Sequence, residues 1–194
     1  MTTDATYPTA APAESSVSAV SWPAIIAGAM IAIAVTLIMV TLGSGLGSAV
    51  SSPWAGQGPS ATTFSVMTGI WLIVTQWVAS AVGGYLTGRL RTRWVGTHTH
   101  EVFFRDTAHG FLTWALATVV VAVLAAFAAS SAAIVAAHAA AVAPATGPVD
   151  ASTADAARKA AASFSIFTAL SMLVGAFIAC VAAALGGQRR DEHP

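Results

Sequence analysis

The chain has 194 residues, of which 56% are hydrophobic and only 8% are charged, and its mean hydropathy is +0.75. Soluble domains carry about 25% charged residues, so this composition argues against a protein whose whole surface faces water. The formal net charge is zero, which argues against nucleic acid as a partner because proteins that bind it present a basic face.

Residues 1–20 are predicted to form a disordered cytoplasmic tail. They contain Pro8, Pro12 and scattered Ser, Thr and Ala residues, a composition that buries too little apolar surface to fold. They contain no Lys or Arg, and the apolar run that follows is longer than the core of a signal peptide. We therefore expect that run to be a retained helix, with Ser21 as its N-terminal cap.

Four apolar runs make up most of the chain. A helix needs roughly 20 apolar residues to cross about 30 Å of hydrocarbon, and the runs at residues 22–50, 64–90, 108–143 and 160–187 are each long enough. Because backbone amides in lipid must be satisfied within their own segment, the runs predict helices. The expected fold is an all-α integral membrane four-helix bundle that ends in a cytoplasmic tail, residues 188–194.

The third and fourth helices are predicted to continue past the membrane. A mostly Ala-rich helical pattern extends from about His100 to Val142 and resumes after a break that contains Pro144 and Pro148. We expect these long helices to form a hairpin beyond the outer face of the bilayer.

The basic residues predict the orientation of the chain. Six of the eight lie between the second and third helices or in the C-terminal tail, and only Arg158 and Lys159 lie on the opposite side. Cytoplasmic segments hold the excess of Lys and Arg, so both termini are expected in the cytoplasm.

The segment that joins the second and third helices is the most polar part of the chain. Glu101, Arg105 and His109 are spaced four residues apart and share one side of a helix, with Asp106 near them. Glu101 before Arg105 is the favourable order for a helical ion pair. The pattern predicts an interfacial polar cluster at the amphipathic start of the third helix.

Three arginines and a tryptophan precede this cluster. Arg89, Arg91, Arg93 and Trp94 stand where the second helix leaves the membrane. Arginine side chains reach from that position toward water, and Trp is favoured in the headgroup layer. We expect all four side chains to lie in that layer.

Two chemical interpretations compete with the interfacial one. His98, His100 and Glu101 offer nitrogen and oxygen ligands for a metal ion, but their spacing is not a recognised ligand pattern and no second cluster completes it. His109 with Asp106 offers a general acid–base pair, but no nucleophile stands beside them. We therefore predict no catalytic residue, no metal and no cofactor, and an interfacial enzyme is the weakest alternative.

Small residues mark the expected helix–helix contacts. Gly84 and Gly88 form a GxxxG pair beside Gly83 in the second helix, and the fourth helix carries Gly175. In lipid, helices attract each other chiefly through close packing, so these glycines are predicted to lie where helices meet. Gln76 is the only large polar residue near a membrane midplane, and we expect it to make an interhelical hydrogen bond.

Three stretches carry a resemblance to a known group of proteins: WPAIIAGA at residues 22–29, GGYLTGRL at residues 83–90 and EVFFRDTAHGFLTWAL at residues 101–116. Over residues 20–125 the chain is similar to a group of small four-helix bacterial inner-membrane proteins, some of which are labelled PhnA-like. The resemblance implies a bacterial inner membrane and a recurring structural E-x-x-x-R-D-x-x-H-G segment. It implies no catalytic residue.

These features favour a non-enzymatic membrane protein. We expect it to pack in the lipid bilayer with copies of itself, or as an accessory or structural subunit of a larger complex, because its helices present small-residue faces. A small oligomeric channel or transporter is the alternative. The interior of one four-helix bundle is filled by side chains, so a pore requires an oligomer or a lined cavity.

Overall fold

The computed structural model describes residues 18–52, 54, 57–94, 96–142 and 151–192, and within them the chain is all-helical. Its four helices are α1 (Trp22–Val50), α2 (Ala61–Leu90), α3 (Thr99–Val142) and α4 (Ala151–Glu192). The predicted all-α, four-helix architecture is therefore confirmed. Most of the predicted tail (residues 1–17), the predicted hairpin turn (residues 143–150) and the last two residues lie outside the described residues.

Each helix is long and apolar enough to cross a membrane. Helix α1 has the bounds of its apolar run, but α2 begins three residues before the run at residue 64, α3 nine before the run at residue 108 and α4 nine before the run at residue 160. Helix α4 also continues to Glu192, so residues 188–192, predicted as part of the C-terminal tail, are helical. The added first turns are polar but contain good helix formers, and α3 carries an acid, Glu101, in its first turn, which suits the helix dipole.

The helices alternate in direction. Arg91, directly after α2, contacts Asp106 near the start of α3 and Asp191 near the end of α4. The backbone N–H of Ser21, directly before α1, donates to His109 near the start of α3. One end of the bundle therefore collects the start of α1, the end of α2, the start of α3 and the end of α4. We call this the polar end.

The bundle is held together by small residues. Apart from Ile25, the buried hydrophobic residues of the described chain are all alanines. A Cβ atom placed on Gly28 of α1 would lie 2.6 Å from the carbonyl oxygen of Gly83 in α2. Such distances mean that backbones touch, the packing that replaces the hydrophobic effect between helices in lipid.

Helices α2 and α3 lie at the centre of the bundle. Each contacts the other three helices, whereas α1 and α4 do not contact each other within the described residues. Toward the end opposite the polar end, a Cβ on Gly69 of α2 would lie 3.3 Å from the ring of Phe167 in α4. Helices α2 and α4 run in the same direction, and eight residues of α2 but sixteen of α4 precede this contact. The eight additional residues of α4 extend about 12 Å beyond the start of α2.

Candidate functional site

The most unusual feature of the polar end is a buried arginine. Arg91 is the first residue after α2, and its backbone N–H still donates to the carbonyl of Thr87 at 3.2 Å, which fixes the point where the chain leaves the helix. Its side chain is 0% exposed. The guanidinium donates from Nε to Asp106, from Nη2 to Oδ2 of Asp106 at 2.9 Å, and from Nη2 to Oδ2 of Asp191 at 2.9 Å.

This geometry joins three segments through one charged group. Asp106 is as deeply buried as Arg91, whereas the Asp191 side chain is 29% exposed. Two parallel bonds from a guanidinium to a carboxylate are among the strongest hydrogen bonds in proteins. The arrangement ties α2, α3 and α4 together at one point, and a further bond at 3.1 Å to the carbonyl of Thr92 occupies Nη1.

The carboxylates keep the guanidinium charged. Burial tends to lower the pKa of Arg91, but its hydrogen bonds to Asp106 and Asp191 outweigh burial and raise that pKa above its ordinary value. A raised folded-state pKa contributes stability that is fully present below the unfolded pKa, which for arginine lies far above physiological pH. The contribution of Arg91 to folding is therefore constant across the physiological pH range.

Gly187 of α4 makes room for the ion pair. A Cβ atom at this position would lie 2.7 Å from Cγ of Asp106 and 3.0 Å from Nη2 of Arg91. Only a residue without a side chain lets α4 approach the two charged groups this closely. The glycine near the end of α4 is thus part of the polar end, although it carries no polar group.

His109 connects α3 to the start of α1. It is 2% exposed, its Nδ1 lies 2.6 Å from the carbonyl oxygen of Arg105, and its Nε2 accepts the backbone N–H of Ser21 at 2.8 Å. A ring whose Nδ1 faces a carbonyl and whose Nε2 accepts a hydrogen bond is a neutral imidazole protonated on Nδ1.

This contact changes the predicted role of Ser21. Ser21 occupies the N-cap position of α1, as expected, but its side chain makes no capping hydrogen bond. Instead the backbone of Ser21 is bound by a side chain from 88 residues later in the chain. The histidine thus fixes where α1 begins relative to α3.

Trp94 packs against the side chains of the polar end. Its ring lies 6.1 Å from that of His109, and the guanidinium of Arg105 lies 5.1 Å from its centre. The guanidinium of Arg91 lies 5.9 Å from the centre of the Trp94 ring. Distances under about 6 Å between a cation and an indole are favourable, so Trp94 contacts both arginines and the histidine together.

The predicted interfacial cluster divides into two parts. Glu101 and Arg105 form the expected ion pair at 2.7 Å on the exposed side of α3. Asp106 and His109 turn into the bundle, where each is 2% exposed. Arg91, expected in the headgroup layer, instead lies inside because Asp106 is the buried anion that it neutralises.

Asp191 was not foreseen as a partner, since it lies 100 residues from Arg91 in sequence. The sequence did contain a signal for the pair of Arg91 and Asp106, because an acid on the inward side of an apolar helix requires a nearby cation. The helix directions place the end of α2, with its three nearby arginines, beside Asp106.

The proposed metal ligands do not form a cluster. His98 and His100 are exposed, and the carbonyl of His98 serves as the first acceptor of α3, bound by the N–H of Glu101 at 3.0 Å. In the described part of the chain, no three His, Cys, Asp or Glu side chains approach closely enough to hold a metal ion.

The four predicted packing glycines all lie at helix contacts. Gly83 faces α1, and a Cβ there would lie 2.8 Å from the Cβ of Ala32. Gly84 and Gly88 face α4, where Cβ atoms would lie 2.9 Å from Cα of Ala179 and 2.6 Å from the backbone nitrogen of Gly187.

Gly175 of α4 faces α2, where its missing side chain accommodates Gln76. A Cβ atom on Gly175 would lie 2.5 Å from Nε2 of Gln76. The expected interhelical hydrogen bond of Gln76 is not formed with any described residue. Its side chain lines a cavity between the helices instead.

The fold and the polar end define a class: a multi-pass, all-helical membrane protein whose helices are joined at one end by a buried ion pair. No protein-family model, curated protein or solved structure matches the chain.

The contact between His109 and Ser21 leads to a first prediction. In a His109→Phe variant, the partly buried N–H of Ser21 loses its acceptor, and a hydrogen bond of this kind contributes about 0.5–1.5 kcal/mol. We expect amide hydrogen exchange in the first turn of α1 to become about 2- to 10-fold faster, measured by mass spectrometry on the protein in nanodiscs.

The matched control for this variant is His100→Phe, because His100 is exposed. Its exchange in α1 is expected to equal that of the wild type. Equal protection of α1 in the His109 and His100 variants would show that the Ser21 contact does not hold the helix.

Proposed function

We propose that the chain is a non-enzymatic membrane protein that acts as an accessory or structural subunit and binds other membrane proteins through the outer part of α3. The support is an apolar surface that a bilayer does not cover. The apolar part of α3, residues 108–135, is 28 residues long, or about 42 Å, whereas the hydrocarbon of a bilayer is about 30 Å thick.

The charges of α4 show which part of α3 is left uncovered. Gly110 of α3 packs on Ala179 and Ala183 of α4. The two helices are antiparallel and rise equally per residue, so Ile134 of α3 is about level with residue 157 of α4. Arg158 and Lys159 therefore mark this level as lying outside the hydrocarbon.

Large apolar side chains are nevertheless exposed there. Ile134 and Val135 are 60% and 69% exposed. We call these two residues the outer apolar surface. A surface of this kind outside lipid indicates a protein contact, and it is the single observation that carries the proposal.

We further propose that the polar end faces the cytoplasm of a bacterial cell and that the membrane is the inner membrane. Six basic residues gather at the polar end: Arg89, Arg91, Arg93, Arg105, Arg189 and Arg190. The two at the other end are paired with Asp155, at 2.6 Å from Arg158 and 2.8 Å from Lys159. Hydrogen bonds from Lys159 and Arg158 hold the pKa of Asp155 below its usual range. The excess of basic residues supports cytoplasmic termini, and the sequence resemblance supports the bacterial inner membrane.

The test of the proposal is the mass of the protein extracted in mild detergent. The monomer mass is 19.5 kDa, and we expect native mass spectrometry to detect a larger assembly. Replacing Ile134 and Val135 by Asn removes apolar area worth about 1.5–3 kcal/mol per side chain. The Ile134→Asn/Val135→Asn variant is expected to dissociate to the monomer while its helix content is unchanged.

The matched control changes two exposed neighbours that are already polar. Ser130 and Ser131 bind the carbonyl of Phe127 on their own helix at 2.9 Å. The Ser130→Asn/Ser131→Asn variant is expected to keep the wild-type mass. A wild-type protein that is monomeric in every mild detergent would contradict the proposal.

A small oligomeric channel or transporter is a second candidate, and the cavity between the four helices favours it. The same mass measurement separates the two functions. Other proteins that co-purify in fixed ratio support the accessory role, whereas a pure homo-oligomer that conducts ions in vesicles supports the channel.

A further inference from the structure

A cavity of about 360 Å³ lies between the four helices. Every helix contributes a small residue to its wall: Ala32 from α1, Ala79 from α2, Ala117 from α3 and Ala179 from α4. Ligand sites in proteins usually have volumes of about 300–1,000 Å³, so this cavity is large enough for a small organic molecule.

The wall of the cavity is uncharged. Its lining residues include hydroxyl and amide side chains but no Asp, Glu, Lys, Arg or His. A charged ligand would lose its hydration there without gaining an opposite charge, at a cost of several kcal/mol. The chemistry of the wall therefore selects a neutral molecule.

Three of the hydroxyl groups in the wall are hydrogen-bonded within the protein. The hydroxyl of Thr36 donates to the carbonyl of Ala32 at 2.8 Å, and the hydroxyls of Thr113 and Thr87 lie 2.8 Å apart. Ser171 donates to the carbonyl of Leu72 at 3.4 Å.

Three buried atoms in the same wall have no hydrogen-bond partner among the described residues. They are Oγ1 of Thr75 in α2, Nε1 of Trp114 in α3 and Oγ1 of Thr168 in α4. Thr75 is only 3% exposed. A buried polar group without a partner costs about 1–3 kcal/mol, so a bound molecule that gave a partner to any of the three would recover that free energy.

The donor and acceptor properties of these atoms define that molecule. The indole N–H of Trp114 only donates, whereas the threonine hydroxyls donate or accept. We propose that the cavity binds an uncharged, lipid-soluble molecule whose carbonyl oxygen accepts the Trp114 N–H, with Thr75 and Thr168 as further partners. An acyl chain supplies no acceptor and leaves all three atoms unpaired.

This site does not depend on the outer apolar surface. The cavity lies within one chain, whereas the outer apolar surface lies at the far end of α3 and contributes no residue to the cavity wall. Loss of binding in the cavity and loss of assembly are therefore separate results.

The experiment compares two probes of nearly equal shape, 9-fluorenone and fluorene, of which only fluorenone carries a carbonyl oxygen. Each probe is dialysed between phosphatidylcholine nanodiscs that contain the protein and empty nanodiscs of the same lipid. The excess in the protein nanodiscs measures specific binding. We expect fluorenone to bind more tightly than fluorene by about 2- to 10-fold, the ratio that one net hydrogen bond provides.

Variants of the lining residues test whether the hydrogen bond to the fluorenone carbonyl forms in the cavity. Trp114→Phe is expected to weaken fluorenone binding by about 2- to 10-fold and to leave fluorene binding unchanged, and Ala117→Leu is expected to reduce the binding of both by filling the space. Trp77→Phe is the matched control, since Trp77 is 48% exposed, and it is expected to bind both probes as the wild type does.

Other outcomes would overturn the assignment. Equal binding of fluorenone and fluorene would show that a molecule binds by filling apolar space, without a hydrogen bond to its carbonyl. Absence of excess binding for both probes would show that water or lipid occupies the cavity. Thermal unfolding of each variant checks the fold. If Trp114→Phe does not fold, the fluorenone-to-fluorene ratio of Thr75→Val replaces it, with the same expected decrease.

Discussion

An Arg91→Met variant is expected to lose about 3–5 kcal/mol of its free energy of unfolding, the cost of removing one partner of a buried ion pair. The reason is the carboxyl group of Asp106, which is only 2% exposed. Without its cation it must either stay charged in a buried position or take up a proton, and both cost free energy. Asp191 is better able to regain water because its side chain is 29% exposed. The measurement is reversible unfolding by dodecyl sulfate in mixed micelles, followed by circular dichroism.

Two further variants distinguish the ion pair from the loss of an arginine as such. Arg93→Met removes a neighbouring basic residue that is exposed, and it is expected to change stability by no more than about 0.5 kcal/mol. The Arg91→Met/Asp106→Leu double variant removes both buried charges and is expected to recover much of the lost stability. If Arg91→Met and Arg93→Met were equally stable, the buried pair would not hold the polar end together.

The number and order of the helices were predictable because the bilayer imposes a length. An apolar run of about 20 residues has one stable form in lipid, so the four runs indicated α1, α2, α3 and α4 directly. The run at residues 22–50 has the same bounds as α1. The earlier starts of α3 and α4 depend on polar turns, where the apolar pattern gives no signal and helix propensity decides.

The polar end was only partly predictable because its contacts join distant segments. The spacing of Glu101 and Arg105 shows their pair, since four residues separate neighbours on a helix surface. Which of three nearby arginines turns inward depends on the backbone after α2, where Arg91 is extended. The binding of Ser21 by His109 likewise requires the position of α1 beside α3, which no local pattern contains.

The glycines show the same division between local pattern and tertiary contact. Gly84 and Gly88 were expected at a contact because they form a GxxxG pair in α2. Gly28, Gly110 and Gly187 are as tightly enclosed, but each stands without a second glycine four residues away. Their role follows only from the directions in which α1, α3 and α4 approach α2 and one another.

Replacing both glycines of the GxxxG pair by alanine is expected to separate α2 from α4. The new Cβ atoms would lie 2.9 Å from Cα of Ala179 and 2.6 Å from the backbone nitrogen of Gly187. Because these neighbours are backbone atoms, no side-chain rotation relieves the contact, and the helices must move apart. Overpacking costs about 1–3 kcal/mol at each site, so Gly84→Ala/Gly88→Ala is expected to lose about 2–6 kcal/mol in the same dodecyl sulfate unfolding measurement.

The chain offers a control with the opposite expected sign. A Cβ on Gly45 of α1 would meet nothing within 4 Å, and one on Gly47 would lie at an ordinary 3.7 Å from the ring of Phe64. Alanine is a better helix former than glycine by up to about 1 kcal/mol per site, so Gly45→Ala/Gly47→Ala is expected to be neutral or stabilising. Both double variants add the same two methyl groups, and only their surroundings differ. If the two changed stability equally, backbone contact between α2 and α4 would not be what holds this bundle together.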